Sequence, residues 1–242
     1  MNILPLIKKI TNKALDLIYP NDFKCILCGN DLFKDNTYFC NDCQLDDIFN
    51  DGNRCVKCDC RIKENNIICD HCKSSRRYFL KCVCPLNYNN RVKSAMVKFK
   101  DDNGKYLAQP FSQLVIDRLK QEKFDFDIIV PVPSHPKTIR KRGYNPALIL
   151  AEIIGKAFKK PVVDVLVKNV LTPKQKFLSY EERQDNLRDS MILFDKKPIK
   201  DKKILIVDDV VTTCATINIC AGLLVGAKEI YACGVARTNH IS

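Results

Sequence analysis

The sequence predicts an α/β protein in which a mostly parallel sheet is flanked by helices and is preceded by a separate cysteine-rich region. Two patterns support this expectation. From about residue 85 onward, short apolar runs alternate with helical segments, as in sheets whose parallel strands are joined by helices. Before residue 85, cysteine pairs recur at short intervals, which is typical of metal-binding ribbons. We therefore expect three parts: an amphipathic helix over residues 1–20, a cysteine-rich region over 21–84 and an α/β domain over 85–242.

Four CxxC pairs follow one another in the cysteine-rich region. They are Cys25/Cys28, Cys40/Cys43, Cys55/Cys58 and Cys69/Cys72. A two-residue spacer lets both thiolates of a pair reach one ion, and two pairs supply the four ligands of a tetrahedral zinc site. We predict a double zinc ribbon with two structural zinc ions, the first held by the first two pairs and the second by the last two. A cross-braced arrangement, in which alternate pairs share an ion, also fits the spacing.

Other side chains in this region receive no ligand role. His71 lies inside the last CxxC pair and is expected to be a bystander, because the four pairs are already complete. Cys60, Cys82 and Cys84 fall outside the pattern. Four sulfur ligands leave no open position for a substrate, so the predicted zinc is structural rather than catalytic.

The composition points to a reducing compartment and to polyanionic partners. Lysine and arginine number 40 against 28 acidic residues, which gives a net charge of +12. Such a charge favours nucleic acid, a pyrophosphate-bearing ligand or an acidic membrane surface as partner. Lysines at positions 8, 9 and 13 interrupt the N-terminal apolar run, unlike in a signal peptide. No stretch approaches the roughly 20 apolar residues that span a bilayer. We expect a cytoplasmic protein without a transmembrane segment.

The α/β region is predicted to contain a series of alternating elements. The predicted strands are 127–132, 161–167, 203–207 and 229–235, and the predicted helices are 89–100, 106–120, 146–159 and about 215–225, with a turn over 101–104. Asn145 is placed to cap the third helix, and Pro146 occupies its first turn, where a missing N–H costs nothing. In such sheets the ligand binds beyond the carboxyl ends of the strands.

The loop after the strand 203–207 has the composition of a ribose-phosphate site. Asp208 and Asp209 follow the strand directly, and adjacent carboxylates suit vicinal sugar hydroxyls because each accepts one hydrogen bond. The small residues that come next lead into a helix N-terminus: Thr212, Thr213, Cys214, Ala215 and Thr216. Backbone N–H groups, hydroxyls and the helix dipole at such a position form a phosphate cradle.

A second loop follows the strand 127–132. Its residues Val132, Pro133 and Ser134 precede a basic segment that contains Arg140 and Arg142. Arginine suits pyrophosphate because its guanidinium donates two hydrogen bonds to one phosphate. A solvated basic helix entry explains the same composition equally well.

Four segments in this order resemble the ComF family, the competence-associated phosphoribosyltransferase-like proteins. They are Lys98-Phe99, VPVPSHPKTIRKRGYN at 130–145, TPKQKFLSYEERQDN at 172–186 and IVDDVVTTCAT at 206–216, and all follow the cysteine pairs. The resemblance covers nearly the whole chain. It implies a type I phosphoribosyltransferase-like fold that binds phosphoribosyl pyrophosphate with Mg²⁺.

The resemblance also implies roles for individual residues. Asp208 and Asp209 would hold the ribose 2′- and 3′-hydroxyls, and residues 212–216 would hold the 5′-phosphate. Val132 to Ser134, with Arg140 and Arg142, would line the pyrophosphate side. The segment 172–186 would be a mobile flap, with Gln175, Arg183 and Asn186 at its recurrent positions.

Cys214 departs from the family pattern, which usually has glycine at this place. A side chain there costs roughly 1 kcal/mol or more if the backbone φ is positive. With a negative φ, the cysteine would simply point away from the phosphate. Cysteine in place of glycine is therefore expected to affect the affinity for phosphate, and through it the rate of turnover.

Three functions fit the sequence. The resemblance implies a cytosolic protein that handles single-stranded DNA during natural transformation, alongside other cytosolic DNA-uptake proteins. A catalytic phosphoribosyltransferase would instead transfer the ribosyl group to a nitrogen acceptor, although no base- or ammonia-binding element is recognisable. A ligand-sensing scaffold would bind phosphoribosyl pyrophosphate without turnover and use the ribbons for protein contacts.

Overall fold

The structure is a computed structural model that describes residues 24–32, 38–43, 46–64, 66–168 and 191–239. Two predictions lie outside these residues. One is the N-terminal helix over 1–20, and the other is the flap with Gln175, Arg183 and Asn186.

The described residues form nine strands, six α-helices and three short 3₁₀ helices. The strands are β1 (Lys81–Val83), β2 (Leu86–Asn87), β3 (Ile128–Pro131), β4 (Leu166–Lys168), β5 (Met191–Leu193), β6 (Lys203–Val207), β7 (Val210–Val211), β8 (Glu229–Cys233) and β9 (Ala236–Arg237). The α-helices are α1 (Asp70–Ser74), α2 (Asn90–Phe99), α3 (Ala108–Gln121), α4 (Pro136–Arg142), α5 (Pro146–Phe158) and α6 (Ala215–Leu223). The 3₁₀ helices are Asp46–Ile48, Asp102–Leu107 and Lys197–Ile199.

The central sheet has four parallel strands in the order β1-β8-β6-β3, which confirms the predicted fold class. Strand β6 is apolar after its first residue and is buried there, as expected for a parallel strand covered on both sides. Beyond the carboxyl ends of β1, β8 and β6, the same three chain segments continue as a smaller parallel sheet, β2-β9-β7. The break between β6 and β7 contains Asp208 and Asp209.

The predicted strand over 161–167 is wrong in its extent. Only Val162 forms a parallel bridge, to Ile129 at the outer edge of β3. The exposed Asp164 interrupts the apolar run, and Leu166–Lys168 then pairs antiparallel with β5 instead of joining the central sheet. The predicted turn over 101–104 is likewise replaced by the start of the 3₁₀ helix Asp102–Leu107.

The two faces of the sheet have different covers. Leu205 and Val207 of β6 belong to an apolar core with α2, α3 and α5, on what we call the first face. Ile204 and Ile206 belong to a second core with α6, β4 and β5, on the second face. The cysteine-rich region is divided between them, because Cys25 and Cys43 lie in the first core and the four later pair cysteines lie in the second.

Strand β1 lies before residue 84, where the sequence predicts the end of the cysteine-rich region. Its residues pair with β8 in parallel, from Lys81 with Tyr231 to Val83 with Cys233. Cys82 and Cys84, which received no role from the sequence, are 1% and 0% exposed. They serve as small core residues where the cysteine-rich region meets the sheet. The division of the chain after residue 84 stays a prediction.

Candidate functional site

A cavity of about 300 Å³ opens beyond the carboxyl ends of β3 and β6. It brings together parts of both predicted loops: Val132, Pro133 and Ser134 from one side, and Asp208, Asp209 and Thr216 from the other. His135, Thr138, Asn145 and Lys168 also line it. Six described residues of the predicted site are absent from its lining: Thr212, Thr213, Cys214, Ala215, Arg140 and Arg142. The structure thus joins the acid pair to the proline-rich loop, with the basic residues of α4 farther out.

The acid pair is held by backbone hydrogen bonds at the break between β6 and β7. Asp208 N–H donates to Cys233 O at 2.9 Å, and Asp209 N–H donates to the Asp208 carboxylate at 2.8 Å. The carbonyl of Asp209 accepts from Val235 N–H at 3.0 Å. Both carboxylates are therefore fixed to the ends of central strands. Burial and the neighbouring charge of Asp209 raise the pKa of the Asp208 carboxyl to about 7.

Two lysines balance the acid pair, and sequence reasoning missed both of them. Lys100 Nζ lies 2.9 Å from Asp209 Oδ1, and Lys168 lines the cavity. The charges of both lysines lower the Asp208 pKa, against the larger effect of burial. They come from the end of α2 and from β4, so only the folded chain places them together. The nearest sequence signal was Lys98-Phe99, where Lys98 is exposed and Phe99 is in the core.

The proline-rich loop is anchored by the residue that caps α5. Asn145 accepts from Ala147 N–H at 3.2 Å and donates to Val132 O at 3.0 Å. Its Oδ1 also accepts from the Ser134 hydroxyl at 2.9 Å. The predicted cap and the first-turn Pro146 are confirmed. One side chain therefore begins a helix and shapes the cavity wall.

The loop over residues 212–216, here called the phosphate loop, contains a strained cysteine. Cys214 has a φ of 62°, in the left-handed region that favours glycine. Its side chain is 2% exposed and its thiol contacts those of Cys58 and Cys82. The alternative of a negative φ is wrong. The strained backbone nevertheless keeps the thiol in the interior, and α6 begins at the next residue, Ala215.

Replacing Cys214 is expected to separate the backbone strain from the thiol contact. Cys214→Ala and Cys214→Gly both remove the sulfur, but only alanine keeps a Cβ at positive φ. We expect the glycine variant to be more stable than the alanine variant by about 1 kcal/mol, measured by urea unfolding. Equal stability of the two variants would mean that φ at this residue is not strained.

The pair cysteines form two groups of four, each from consecutive pairs. Within each group all Sγ atoms lie within 4.8 Å of one another. The first cluster is Cys25, Cys28, Cys40 and Cys43, and the second cluster is Cys55, Cys58, Cys69 and Cys72. This is the sequential arrangement, not the cross-braced one. The close thiols, with backbone N–H donors at Cys28 and Cys69 sulfur, fit two tetrahedral sulfur-ligated zinc ions.

Helix α4 presents a basic surface beside the cavity. Lys137, Arg140 and Lys141 are exposed, Arg142 is partly exposed, and α4 has no buried residue. No carboxylate among the described residues forms an ion pair with these four cations. The helix is followed by Gly143 with φ 79°, which turns the chain toward Tyr144.

A larger cleft, of about 480 Å³, lies between the first cluster and α2. Its lining includes Cys28, Asp42, Arg91 and Ser94. Arg91 donates to the Asp42 carbonyl at 2.9 Å across it. Because this cleft lacks a strand-end acid pair, we place the ligand site in the smaller cavity.

The chain is similar over most of its length to proteins named for competence and for DNA utilization. It is 26% identical over 225 residues to Competence protein F of Haemophilus influenzae, which covers 89% of this chain and 97% of that protein. It is 28% identical over 244 residues to Competence protein ComFC of Streptococcus pneumoniae, covering 88% of this chain and 100% of that protein. For the DNA utilization protein YhgH of Escherichia coli K12, the identity is 24% over 196 residues, or 78% and 86% of the two chains. No family model matches the chain.

Solved structures resemble about half of the chain. The allosteric regulatory enzyme of purine biosynthesis aligns with a TM-score of 0.38 and 17% identity, covering 52% of this chain and 25% of that one. A purine phosphoribosyltransferase from Pyrococcus horikoshii aligns with a TM-score of 0.30 and 24% identity, covering 51% of this chain and 68% of that one.

Across the described residues, no helix has both the length and the apolar character needed to cross a bilayer.

Proposed function

Because the chain belongs to the ComF family of competence proteins, we propose that it binds phosphoribosyl pyrophosphate with Mg²⁺ in the cavity and single-stranded DNA beside it. This activity would serve DNA uptake in natural transformation, in the cytoplasm and together with other DNA-uptake proteins. The observation that carries the proposal is the meeting of Asp208, Asp209, Ser134 and Thr216 around one cavity.

Each part of the cavity matches a different group of the proposed ligand. Asp208 and Asp209 would accept hydrogen bonds from the ribose 2′- and 3′-hydroxyls. The N-terminus of α6, at Thr216, and the ammonium of Lys168 would hold the 5′-phosphate. Ser134, with the cations of α4 farther out, would face the pyrophosphate. Mg²⁺ bound with the ligand would supply further positive charge against the pyrophosphate oxygens.

Calorimetric titration tests this part of the proposal. We expect saturable binding of phosphoribosyl pyrophosphate in the presence of Mg²⁺ and weaker binding of ribose 5-phosphate, which lacks the pyrophosphate. Deoxyribose 5-phosphate should bind more weakly again, because it offers the acid pair one hydroxyl fewer. Absence of saturable heat with phosphoribosyl pyrophosphate would refute the ligand assignment. Pyrophosphate release on adding nitrogen bases would support the alternative, a catalytic phosphoribosyltransferase.

The affinity for phosphoribosyl pyrophosphate is expected to depend on the ionisation of Asp208. Its pKa is raised to about 7, so below that pH a proton neutralises the carboxylate that would accept the sugar hydroxyl. Affinity should be highest above about pH 7 and fall by up to about tenfold per pH unit below it. Binding curves from pH 5.5 to pH 8, about the range that brackets this pKa, check the slope. Asp208→Asn is the control, since only the ligand's own ionisation should remain.

The raised pKa of Asp208 also makes folding stability depend on pH. A carboxyl whose folded pKa exceeds its ordinary value of 3.8 binds its proton more tightly in the folded state. The contribution of Asp208 to stability is therefore full at low pH and declines as pH rises from about 4 through about 7. Ligand affinity and the stability contribution of this group change in opposite directions with pH.

Single-stranded DNA is assigned to the surface of α4 rather than to the cavity. An acid pair suited to vicinal hydroxyls discriminates against deoxyribose. The four cations of α4 have no ion-pair partner within the described part of the chain, and such a group suits a phosphate backbone. Lys105 lies 5.0 Å from the ring centroid of Tyr144, just after α4, and the neighbouring Tyr106 is 44% exposed. We propose the exposed Tyr106 ring as the surface on which a base would stack.

Neutralising two lysines of α4 is expected to weaken DNA binding. Lys137→Gln/Lys141→Gln removes two exposed charges one helical turn apart, and should lower affinity for a single-stranded oligonucleotide by roughly tenfold at low salt. The slope of log affinity against log salt should become shallower by about 1.4, or 0.7 per lost phosphate contact. Fluorescence anisotropy at several salt concentrations measures both effects. Lys196→Gln/Lys200→Gln, with the same charge change at exposed positions elsewhere, should leave the slope unchanged; equal weakening by both pairs would contradict the assigned surface.

A further inference from the structure

The phosphate loop has its inner side against the second cysteine cluster. The loop, α6 and the second cluster all contribute to the core on the second face of the sheet. The first cluster contributes to the core on the opposite face. Only one of the two clusters therefore adjoins the loop.

Arg237 connects the second cluster to the loop directly. It is 4% exposed, and its Nε donates to the carbonyl of Cys58 at 2.8 Å. Its Nη1 donates to the carbonyls of Val211, at 3.2 Å, and Thr212. Its Nη2 lies 3.7 Å from Cys58 Sγ. One buried guanidinium thus holds a cluster residue and the first residue of the phosphate loop together.

Two further side chains make the same connection. His71, between the last two cluster cysteines, lies beside the backbone of Thr213. The Cys214 thiol contacts the thiol of Cys58. If Cys58 is a zinc-bound thiolate, it accepts from both Cys214 and Arg237, as outer donors do at thiolate-ligated metals.

The helix that follows the loop is attached to the chain that follows the cluster. Asn218 of α6 donates to the carbonyl of Arg76 at 3.0 Å and accepts from Tyr78 N–H at 2.8 Å. The loop and α6 are therefore held to the segment from Cys58 to Tyr78, at Thr212 through Arg237 and at Asn218 directly. For the first cluster, the corresponding tie runs to α2, through Arg91 and Asp42.

We infer that the second cysteine cluster, with its metal bound, is the inner wall of the phosphate site and sets its ligand affinity through Arg237 and His71. Arg237 and His71 are positioning residues, since they act on the loop backbone rather than on the ligand. The inference rests on the proposed function, because the loop must bind a phosphorylated ribose. Because such coupling is reciprocal, ligand binding must in turn change the environment of the second cluster, while that of the first cluster stays unchanged.

Cadmium-113 NMR of the full chain with cadmium in place of zinc tests this inference. Each cluster gives one resonance, and Cys28→Ser, which alters the first cluster alone, identifies which is which. Addition of phosphoribosyl pyrophosphate with Mg²⁺ is expected to move the resonance of the second cluster and leave that of the first in place. Saturable ligand binding in calorimetry with both resonances unmoved would overturn the inference and leave the proposed function intact.

Matched arginine variants provide the second measurement. Arg237→Lys keeps the charge but cannot bridge Cys58 and Thr212, and should weaken ligand binding by roughly tenfold while both cadmium resonances persist. Arg91→Lys makes the same change beside the first cluster and should leave affinity unchanged. Wild-type affinity in Arg237→Lys, or equal weakening in Arg91→Lys, would overturn the inference. Failure of the wild-type chain to bind the ligand would instead remove the proposed function, and the inference with it.

Discussion

Asp208→Asn/Asp209→Asn is expected to lower the affinity for phosphoribosyl pyrophosphate by about a hundredfold or more. Hydrogen bonds to charged acceptors contribute about 1.5–3 kcal/mol each. At a pH above the Asp208 pKa of about 7, the double variant converts two charged acceptors into neutral amides. The backbone hydrogen bond to the side chain of residue 208 can persist, because the asparagine oxygen still accepts from the next N–H. Folding should therefore survive, and calorimetry with Mg²⁺ reads the loss directly.

The matched control is Asp117→Asn on the exposed side of α3. Asp117 accepts a hydrogen bond from Gln113, which asparagine preserves, so the charge change occurs far from the cavity. We expect this variant to bind the ligand as the wild type does. Affinity within about threefold of wild type in the double variant, less than one lost hydrogen bond, would exclude the acid pair as the sugar-binding element. In cells, the double variant should lose transformation while its abundance is unchanged.

Loss of a single ligand of the second cluster is expected to have the largest effect on stability. Cys58 is 1% exposed, and Cys58→Ser should release one zinc ion per chain and leave the other. Structural zinc contributes about 10 kcal/mol or more of folding free energy in isolated fingers. Even a loss of several kcal/mol would lower the melting temperature by about 10 °C or more in a chain of this size. Elemental analysis and thermal unfolding measure the two effects.

Cys60→Ser tests whether this loss comes from the metal. Cys60 lies in the same turn and is 6% exposed, but it is outside the group of four. The substitution is the same as in Cys58→Ser, but it removes no residue of that group. We therefore expect both zinc ions to remain and the stability to fall by about 1 kcal/mol. Release of zinc from this variant would show that the ligand set includes Cys60.

The sequence predicted those features that depend on residues close together in the chain. Strand β6 was predicted with its observed bounds because its apolar run is short and ends at two acids. The Asn145 cap was predicted because capping acts within one helical turn. The CxxC pairs were recognisable for the same reason, although their sequential grouping required the fold.

What the sequence did not predict depends on distant segments. Lys100 reaches Asp209 from the end of α2, and nothing in the local sequence of either residue indicates this pairing. The φ of Cys214 is positive, and its thiol contacts Cys58 and Cys82, two residues of the cysteine-rich region that are far from it in the chain. Strand β1 was missed because it is only three residues long and is stabilised by pairing with β8, far along the chain.

The contacts of the second cluster form only late in synthesis, because their partners lie far along the chain. Arg237 reaches Cys58 across 179 residues, and Asn239 accepts from Arg61 N–H across 178. The cysteines leave the ribosome before the surfaces that cover them, and can bind metal before those surfaces are translated. Until then the turn around Cys58 lacks its partners, and the central sheet lacks β8 between β1 and β6. The nascent N-terminal third is thus the part of the molecule most exposed to oxidants and to metal exchange before the chain is complete.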